Sequence, residues 1–104
     1  MTRTLNFTPP SIHDGVQRTV LSISTDKATD RYDVLAWADD MSVEVELTHQ
    51  ADDSRKYVVR CDHKGKPLTC SCPAWKWSSP RNCRHVAAVG KLVEIRVIKT
   101  WEGM

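Results

Sequence analysis

The chain has 104 residues, enough for one domain, and the composition of a folded protein, with 40% hydrophobic and 27% charged residues. This excludes a fully disordered or collagen-like chain, and no apolar run approaches the roughly 18 residues of a membrane span. The net charge of +2 is unevenly divided: residues 1–54 hold four basic and ten acidic residues (net −6), and residues 55–104 hold eleven and three (net +8). Such a division fits either a surface that faces a polyanion or attraction between the two halves.

Residues 1–24 are predicted to form an N-terminal extension. The first ten residues end in two prolines and favour an extended lead-in. The segment 16–24 is apolar and partly β-branched, which leaves a short strand and a helix both open. The first residues show no apolar stretch or cleavage site of a secretory signal. We therefore expect a cytoplasmic protein, or a nuclear one in a eukaryote, and not a secreted one.

Residues 26–40 are predicted to form an amphipathic helix. Thr25 can cap its start, and Asp26 and Asp30 suit the positive end of the helix dipole. Helical spacing separates four apolar or aromatic residues, which are Ala28, Tyr32, Leu35 and Ala36. Trp37 lies near this stripe and is expected in the core.

Three antiparallel strands are predicted next. The apolar residues at 43, 45 and 47 alternate with polar ones, which is typical of a half-buried strand. A second strand is expected from residue 57 to about 63 and a third over 68–72, because turn-forming residues occupy 51–54 and 64–67. The three strands lead directly into a cluster of cysteines.

A helix is predicted from Cys83 onward, with Asn82 as its cap. Its apolar face would carry Val86, Val89 and Val93. Alternatively, Gly90 ends this helix early and residues 92–98 form a strand, since apolar residues alternate there. Both alternatives are open.

The segment 70–85 has the spacing C-x-C, ten intervening residues, then C-x-H. The candidate metal ligands are Cys70, Cys72, Cys83 and His85. Three thiolates and one imidazole form a donor set that Zn²⁺ takes in a closed tetrahedral site. Residues two apart in a strand point the same way, so the first two cysteines can hold one ion. The pattern predicts one structural zinc ion, and clustered cysteines without an export signal favour a metal over disulfides.

This motif resembles the SWIM zinc finger, which is defined by C-x-C and, after a variable loop, C-x-H. The chain is also similar to that family in a preceding β-hairpin, a Cys-Pro-x-aromatic step that ends at Trp75, and a helix that carries the C-x-H. The resemblance covers about residues 43–93. It implies a ββα zinc module that binds DNA or proteins and is not an enzyme, with Trp75 packed under the metal site.

The predicted fold is therefore α+β: a small three-stranded antiparallel sheet with a zinc-binding ββα finger and an N-terminal helix. One domain is predicted over residues 25–104, with its motif core at 55–93. Cys61 and His63 form a second C-x-H just upstream, but we expect an inward-facing thiol and a turn residue there, because four ligands already suffice. His13 and His49 stand alone and are expected at the surface.

Basic residues concentrate around the motif. The candidate nucleic-acid contacts are Arg60, Lys64, Lys66, Lys76, Trp77, Arg81, Arg84 and Lys91. Basic side chains neutralise phosphates, and an exposed indole can stack on an unpaired base, although burial of Trp77 is equally open. Because zinc with three thiolates carries −1, residues 55–104 still hold +7 of their +8 when loaded. The first hypothesis is a zinc-stabilised module that binds DNA or RNA, as a DNA-binding accessory factor.

The second hypothesis is a protein-interaction adaptor in which zinc is purely structural and the acidic segment 26–40 or the loop with Trp77 contacts a partner. No membrane partner is expected. An enzyme is not expected either, since the motif fills all four zinc positions and no hydrolase, nucleotide-binding or metalloprotease motif is present.

Overall fold

One antiparallel β-sheet makes up most of the computed structural model, which describes residues 4–73, 75 and 83–100. The strands are β1 (Thr4–Phe7), β2 (Ser11–His13), β3 (Val16–Ser24), β4 (Thr29–Ala38), β5 (Ser42–His49), β6 (Lys56–Asp62) and β7 (Pro67–Cys70), and helix α1 (Arg84–Glu94) follows them. The sheet order is β1-β3-β4-β5-β6-β7, and β2 also pairs with β3. From β3 onward, each strand therefore pairs with the next one along the chain.

The predicted fold class is wrong, because residues 4–73, 75 and 83–100 form mostly one antiparallel sheet and show neither the N-terminal helix nor a separate ββα finger. Strand β4 occupies Thr29–Ala38, inside the segment predicted as a helix. The strands predicted from alternation between residues 43 and 72 are present as β5, β6 and β7. They belong to a sheet of seven strands rather than to a sheet of three.

The sequence pattern does not reveal strand β4, because this strand carries apolar side chains on both faces. Tyr32, Val34 and Ala36 alternate along the strand and are at most 1% exposed. Leu35 precedes Ala36 and Trp37 follows it; both point to the opposite face, where Trp37 is 39% exposed. The expectation that Trp37 lies in the core is therefore also wrong. Apolar residues on both faces mask the two-residue period and produce an accidental helical spacing.

Thr25 forms the hydrogen bonds of a cap, but in a hairpin turn. Its hydroxyl oxygen accepts from the backbone N–H groups of Lys27 and Ala28, both at 3.3 Å. Its own N–H donates to the carbonyl of Ala28 at 2.8 Å. Threonine satisfies backbone donors equally well at a helix start and in a turn, so this residue alone did not distinguish the two.

The segment 4–24 contributes β1, β2 and β3 to the sheet. The alternative left open for residues 16–24 is resolved as a strand, in which Leu21 and Ile23 are buried. Asp14 and Gly15 connect β2 to β3 with φ values of 51° and 76°. Two left-handed residues of the type Asp-Gly form the two-residue turn that matches the twist of paired strands.

The buried face of the sheet is covered by α1 and by the segment that follows it. Helix α1 packs against β6 and β7 through its buried residues Ala88, Val89 and Leu92. It continues through Gly90 to Glu94, so the alternative of a strand over 92–98 is not adopted. The predicted cap, Asn82, lies outside the described residues, and the cap of α1 is Cys83.

The chain beyond α1 crosses to β3. Val97 and Ile98 are buried in the core. The side-chain amide of Gln17 donates to the carbonyl of Lys99 at 2.8 Å, and its oxygen accepts from the N–H of Lys99 at 2.6 Å. This pair joins the start of β3 to the segment after the helix.

Candidate metal centre

Cys70 and Cys72 lie at the end of strand β7 and share its inner side. Cys70 pairs with Val59 of β6, and both side chains are buried. Ser71 continues the pairing, because its N–H donates to the carbonyl of Val58 at 3.0 Å and its hydroxyl accepts from the Val58 N–H at 2.9 Å. Extended backbone places residues two apart on the same side, so the Cys72 thiol also reaches the interior, where it is 2% exposed.

Cys83 and His85 are held by the first turn of α1. Cys83 has extended dihedrals, φ −154° and ψ 157°, and its sulfur accepts from the backbone N–H of Val86 at 3.3 Å. The thiol therefore takes the capping role that serine or aspartate usually has. His85 follows inside the helix and is 4% exposed.

The ligand atoms of Cys70, Cys72, Cys83 and His85 all lie within 4.8 Å of one another, and all four residues are buried. Ligands about 2.3 Å from a central zinc would be separated by about 3.8 Å, so small movements close the site around an ion. Three sulfurs and one imidazole also match the soft donor set of structural zinc. The predicted tetrad is therefore placed to bind one metal ion, consistent with one Zn²⁺.

The His85 ring is oriented by two tyrosines. Its Nδ1 atom lies 4.0 Å from the Cys70 sulfur, whereas its Nε2 atom lies 3.3 Å from the hydroxyl of Tyr32. Tyr57 stacks on the ring with a centroid distance of 4.3 Å, and Tyr32 meets it edge-on at 5.5 Å. Nδ1 is thus the nitrogen that faces the thiols, and Nε2 is free to donate its proton to Tyr32. Hydrogen bonds of this kind on the far nitrogen fix the tautomer of a metal-binding histidine.

Contacts within the tetrad favour a thiolate at Cys83. Its hydrogen bond with Cys70 lowers the pKa of Cys83 and raises the pKa of Cys70. The backbone N–H of Val86 and the start of α1 stabilise the same negative charge. The arrangement therefore favours deprotonation of Cys83, and metal binding requires a deprotonated sulfur.

A network of charged side chains outside the tetrad contacts Arg84 at the start of α1. Asp30 accepts from His49 Nε2 at 3.0 Å, and its other oxygen pairs with the guanidinium of Arg84, also at 3.0 Å. The hydrogen bond from His49, with help from Arg84, lowers the pKa of Asp30 although burial opposes this. His49 is only 8% exposed, so the expectation of a surface position is wrong for this histidine. The sequence analysis does not predict this network. It assigns residues 26–40 to a helix, whereas the network depends on the pairing of β4 with β5.

The upstream C-x-H does not join the tetrad. Cys61 is buried in β6, where burial raises the pKa of its thiol to about 12 and keeps it neutral. His63 lies exposed in the turn after β6. Trp75 is partly buried and packs against the core cluster, which includes the ligand cysteines; its position under the metal site stays a prediction.

Five of the eight candidate nucleic-acid contacts lie among the described residues. Arg60 is exposed on β6, and Lys64 and Lys66 are exposed in the turn before β7. Arg84 is engaged with Asp30, and Lys91 pairs with Glu94 at 3.7 Å. The predicted contacts Lys76, Trp77 and Arg81 lie outside the described residues.

A family model described as SWIM zinc finger matches residues 32–89, which is more than half of the 104 residues. The matched span contains all four residues of the tetrad. No curated protein and no solved structure matches the chain. Among the described residues, no helix combines the length and hydrophobicity needed to cross a bilayer.

Proposed function

Because this chain belongs to the SWIM zinc finger family, we propose that it is a zinc-stabilised nucleic-acid-binding module that acts as a DNA-binding accessory factor. The observation that carries this proposal is the division of charge. Residues 55–104, which contain the tetrad, hold eleven basic and three acidic residues (net +8). Zinc bound by three thiolates removes only one of these positive charges, so the loaded module still attracts phosphates.

The availability of three predicted contacts supports the proposal. Arg60, Lys64 and Lys66 are exposed, and none of them forms an ion pair within residues 4–73, 75 and 83–100. Free basic side chains can release counterions from a phosphate backbone, whereas Arg84 and Lys91 first have to leave their carboxylate partners.

The proposal assigns no catalytic step to the protein. A catalytic zinc keeps one coordination position for water, whereas four protein ligands occupy every position of a tetrahedral ion. A metal ion held by these four ligands would have a structural role, because the ligands lie at the end of β7 and at the start of α1. The site also needs reduced thiols, which supports a location in the cytoplasm or nucleus.

Nucleic-acid binding is tested by fluorescence anisotropy with single- and double-stranded DNA and RNA at two salt concentrations. We expect zinc-loaded protein to bind at least one of the four, with an affinity that falls steeply as salt rises. The Cys72→Ser protein, which lacks one ligand, serves as the control and should bind more weakly. Absence of binding to all four probes at low salt contradicts the proposal.

A protein-interaction adaptor is the second candidate, and the β4–β5 hairpin favours it. Trp37 and Met41 are 39% and 79% exposed there. Large apolar groups in water are common components of protein interfaces. A pulldown with tagged protein from the source cells tests this candidate: we expect a stoichiometric partner that the Trp37→Ser variant fails to retain. Recovery of the same partners by both proteins would contradict it.

A further inference from the structure

The turn between β6 and β7 packs on the last turn of α1. A Cβ atom on Gly65 would lie 2.5 Å from a methyl carbon of Val93 and 3.1 Å from one of Thr100. Lys64 and Lys66 flank this glycine in the chain, and Lys99 precedes Thr100. Because the contact is so close, the three exposed lysines lie at the same end of the molecule.

Arg96 adds a fourth cation at this end, in an unusual backbone conformation. Its φ is +64°, and its N–H donates to the carbonyl of Val93 at 3.0 Å. The N–H of Val97 donates to the carbonyl of Leu92 at 2.8 Å, and the two hydrogen bonds together form the Schellman motif that ends α1. Glycine usually occupies this left-handed position, because a side chain there costs free energy. Arg96 is exposed at this left-handed position, so its guanidinium group is accessible to a ligand.

Among the described residues, Asp62 and Glu94 are carboxylates near these cations, and both have other partners. Asp62 accepts from the backbone N–H groups of Lys64 and Lys66, each at 2.9 Å. Glu94 pairs with Lys91. None of the four cations Lys64, Lys66, Arg96 and Lys99 forms an ion pair within the described part of the chain. We call these four residues the basic end.

We propose that the basic end binds the phosphate backbone of a nucleic acid through charge, without selecting a base sequence. The inference rests on the proposed function and assigns the contact to one surface, which includes Arg96 and Lys99 from outside the predicted set. Four phosphate contacts on duplex DNA correspond to a slope of about −3.6 in a plot of log affinity against log salt. Loss of one contact should make this slope less steep by about one.

Arg96→Gly is the most informative variant because its two expected effects have opposite signs. Glycine relieves the left-handed backbone, so the unfolding midpoint in urea should stay unchanged or rise. The variant should bind duplex DNA roughly three- to ten-fold more weakly than the wild type. The loss should be the same for two unrelated DNA sequences, and log affinity should depend less steeply on log salt. The double variant Lys64→Gln/Lys66→Gln should weaken binding further. Arg18→Gln/Arg31→Gln, which removes two exposed charges from the sheet, is the matched control and should bind as the wild type does.

The results separate this inference from the proposed function. If the wild-type protein binds no nucleic acid, the proposed function fails and the inference fails with it. If the wild type binds but the basic-end variants lose no more affinity than the control, only the inference is overturned. The inference is also overturned if the protein binds vesicles of anionic phospholipid more tightly than duplex DNA and this binding depends on the basic end. The partner would then be a lipid surface. The inference is supported if the basic-end variants, but not the control variant, bind duplex DNA more weakly and with a shallower salt dependence than the wild type.

Discussion

The hydroxyl of Tyr32 contacts the face of the metal centre that lies away from the thiols. It is fully buried and lies 3.3 Å from His85 Nε2, while Nδ1 faces the sulfurs. Tyr32→Phe keeps the ring and removes this partner, so we expect zinc affinity to fall about 10- to 100-fold. Competition with a chromophoric chelator measures the change.

Tyr57→Phe is the matched control for Tyr32→Phe. It also removes one hydroxyl, but it keeps the ring that stacks on His85 at 4.3 Å. Its zinc affinity should stay close to that of the wild type. Equal affinities for the Tyr32 variant and the wild type would show that the hydrogen bond does not position His85.

Cys72 and Cys61 are both buried thiols with different expected roles. Cys72 belongs to the tetrad, whereas Cys61 is a neutral core side chain in β6. Cys72→Ser should reduce bound zinc from one ion per chain to almost none, because serine stays protonated at neutral pH. Cys61→Ala, which keeps the position apolar and removes the thiol, should keep one zinc. Native mass spectrometry distinguishes the two, and zinc loss in the Cys61 variant would contradict the assignment.

Among the secondary-structure elements, those with regular sequence patterns were predictable. Strand β5 alternates strictly between buried and polar positions, and the C-x-C and C-x-H spacings are sufficient to identify the tetrad. Strand β4 was not predictable in this way, because Leu35 and Trp37 interrupt its alternation with outward apolar side chains. The pair Asp14-Gly15 is a strong sequence signal for a hairpin turn and indicates that β2 and β3 pair.

The tight turn between β6 and β7 requires glycine at residue 65. Its φ is +86°, and an added Cβ would lie 2.5 Å from Val93. Gly65→Ala combines a left-handed penalty with a steric clash, and we expect a loss of about 2–3 kcal/mol in the free energy of unfolding. Gly15→Ala has a φ of +76° but no atom within 4 Å of the new Cβ, so it should cost only about 1 kcal/mol.

Urea unfolding of the zinc-loaded proteins measures both glycine variants. The difference between them isolates the contact of the turn with α1, since both carry the left-handed penalty. If Gly65→Ala costs no more than Gly15→Ala, the turn does not pack on the helix as described.

For the whole molecule, zinc removal should cause cooperative unfolding. Helix α1 has 11 residues, which is too short to be stable alone, and it covers the buried face of β6 and β7. Structural zinc contributes on the order of 10 kcal/mol to small domains. We expect a chelator to abolish both helix and sheet signals in far-ultraviolet circular dichroism, and added zinc to restore them. An unchanged spectrum in metal-free protein would contradict a structural role for the metal.

The bidentate contact between Gln17 and Lys99 has a practical consequence for anyone who shortens this chain. Its two hydrogen bonds join segments near the two ends of the sequence, which are 82 positions apart. Both partners lie outside the matched span of residues 32–89. A peptide cut to that span would keep every ligand but lose β1 to β3 and the buried Val97 and Ile98. We therefore expect that a fragment limited to residues 32–89 does not fold on its own.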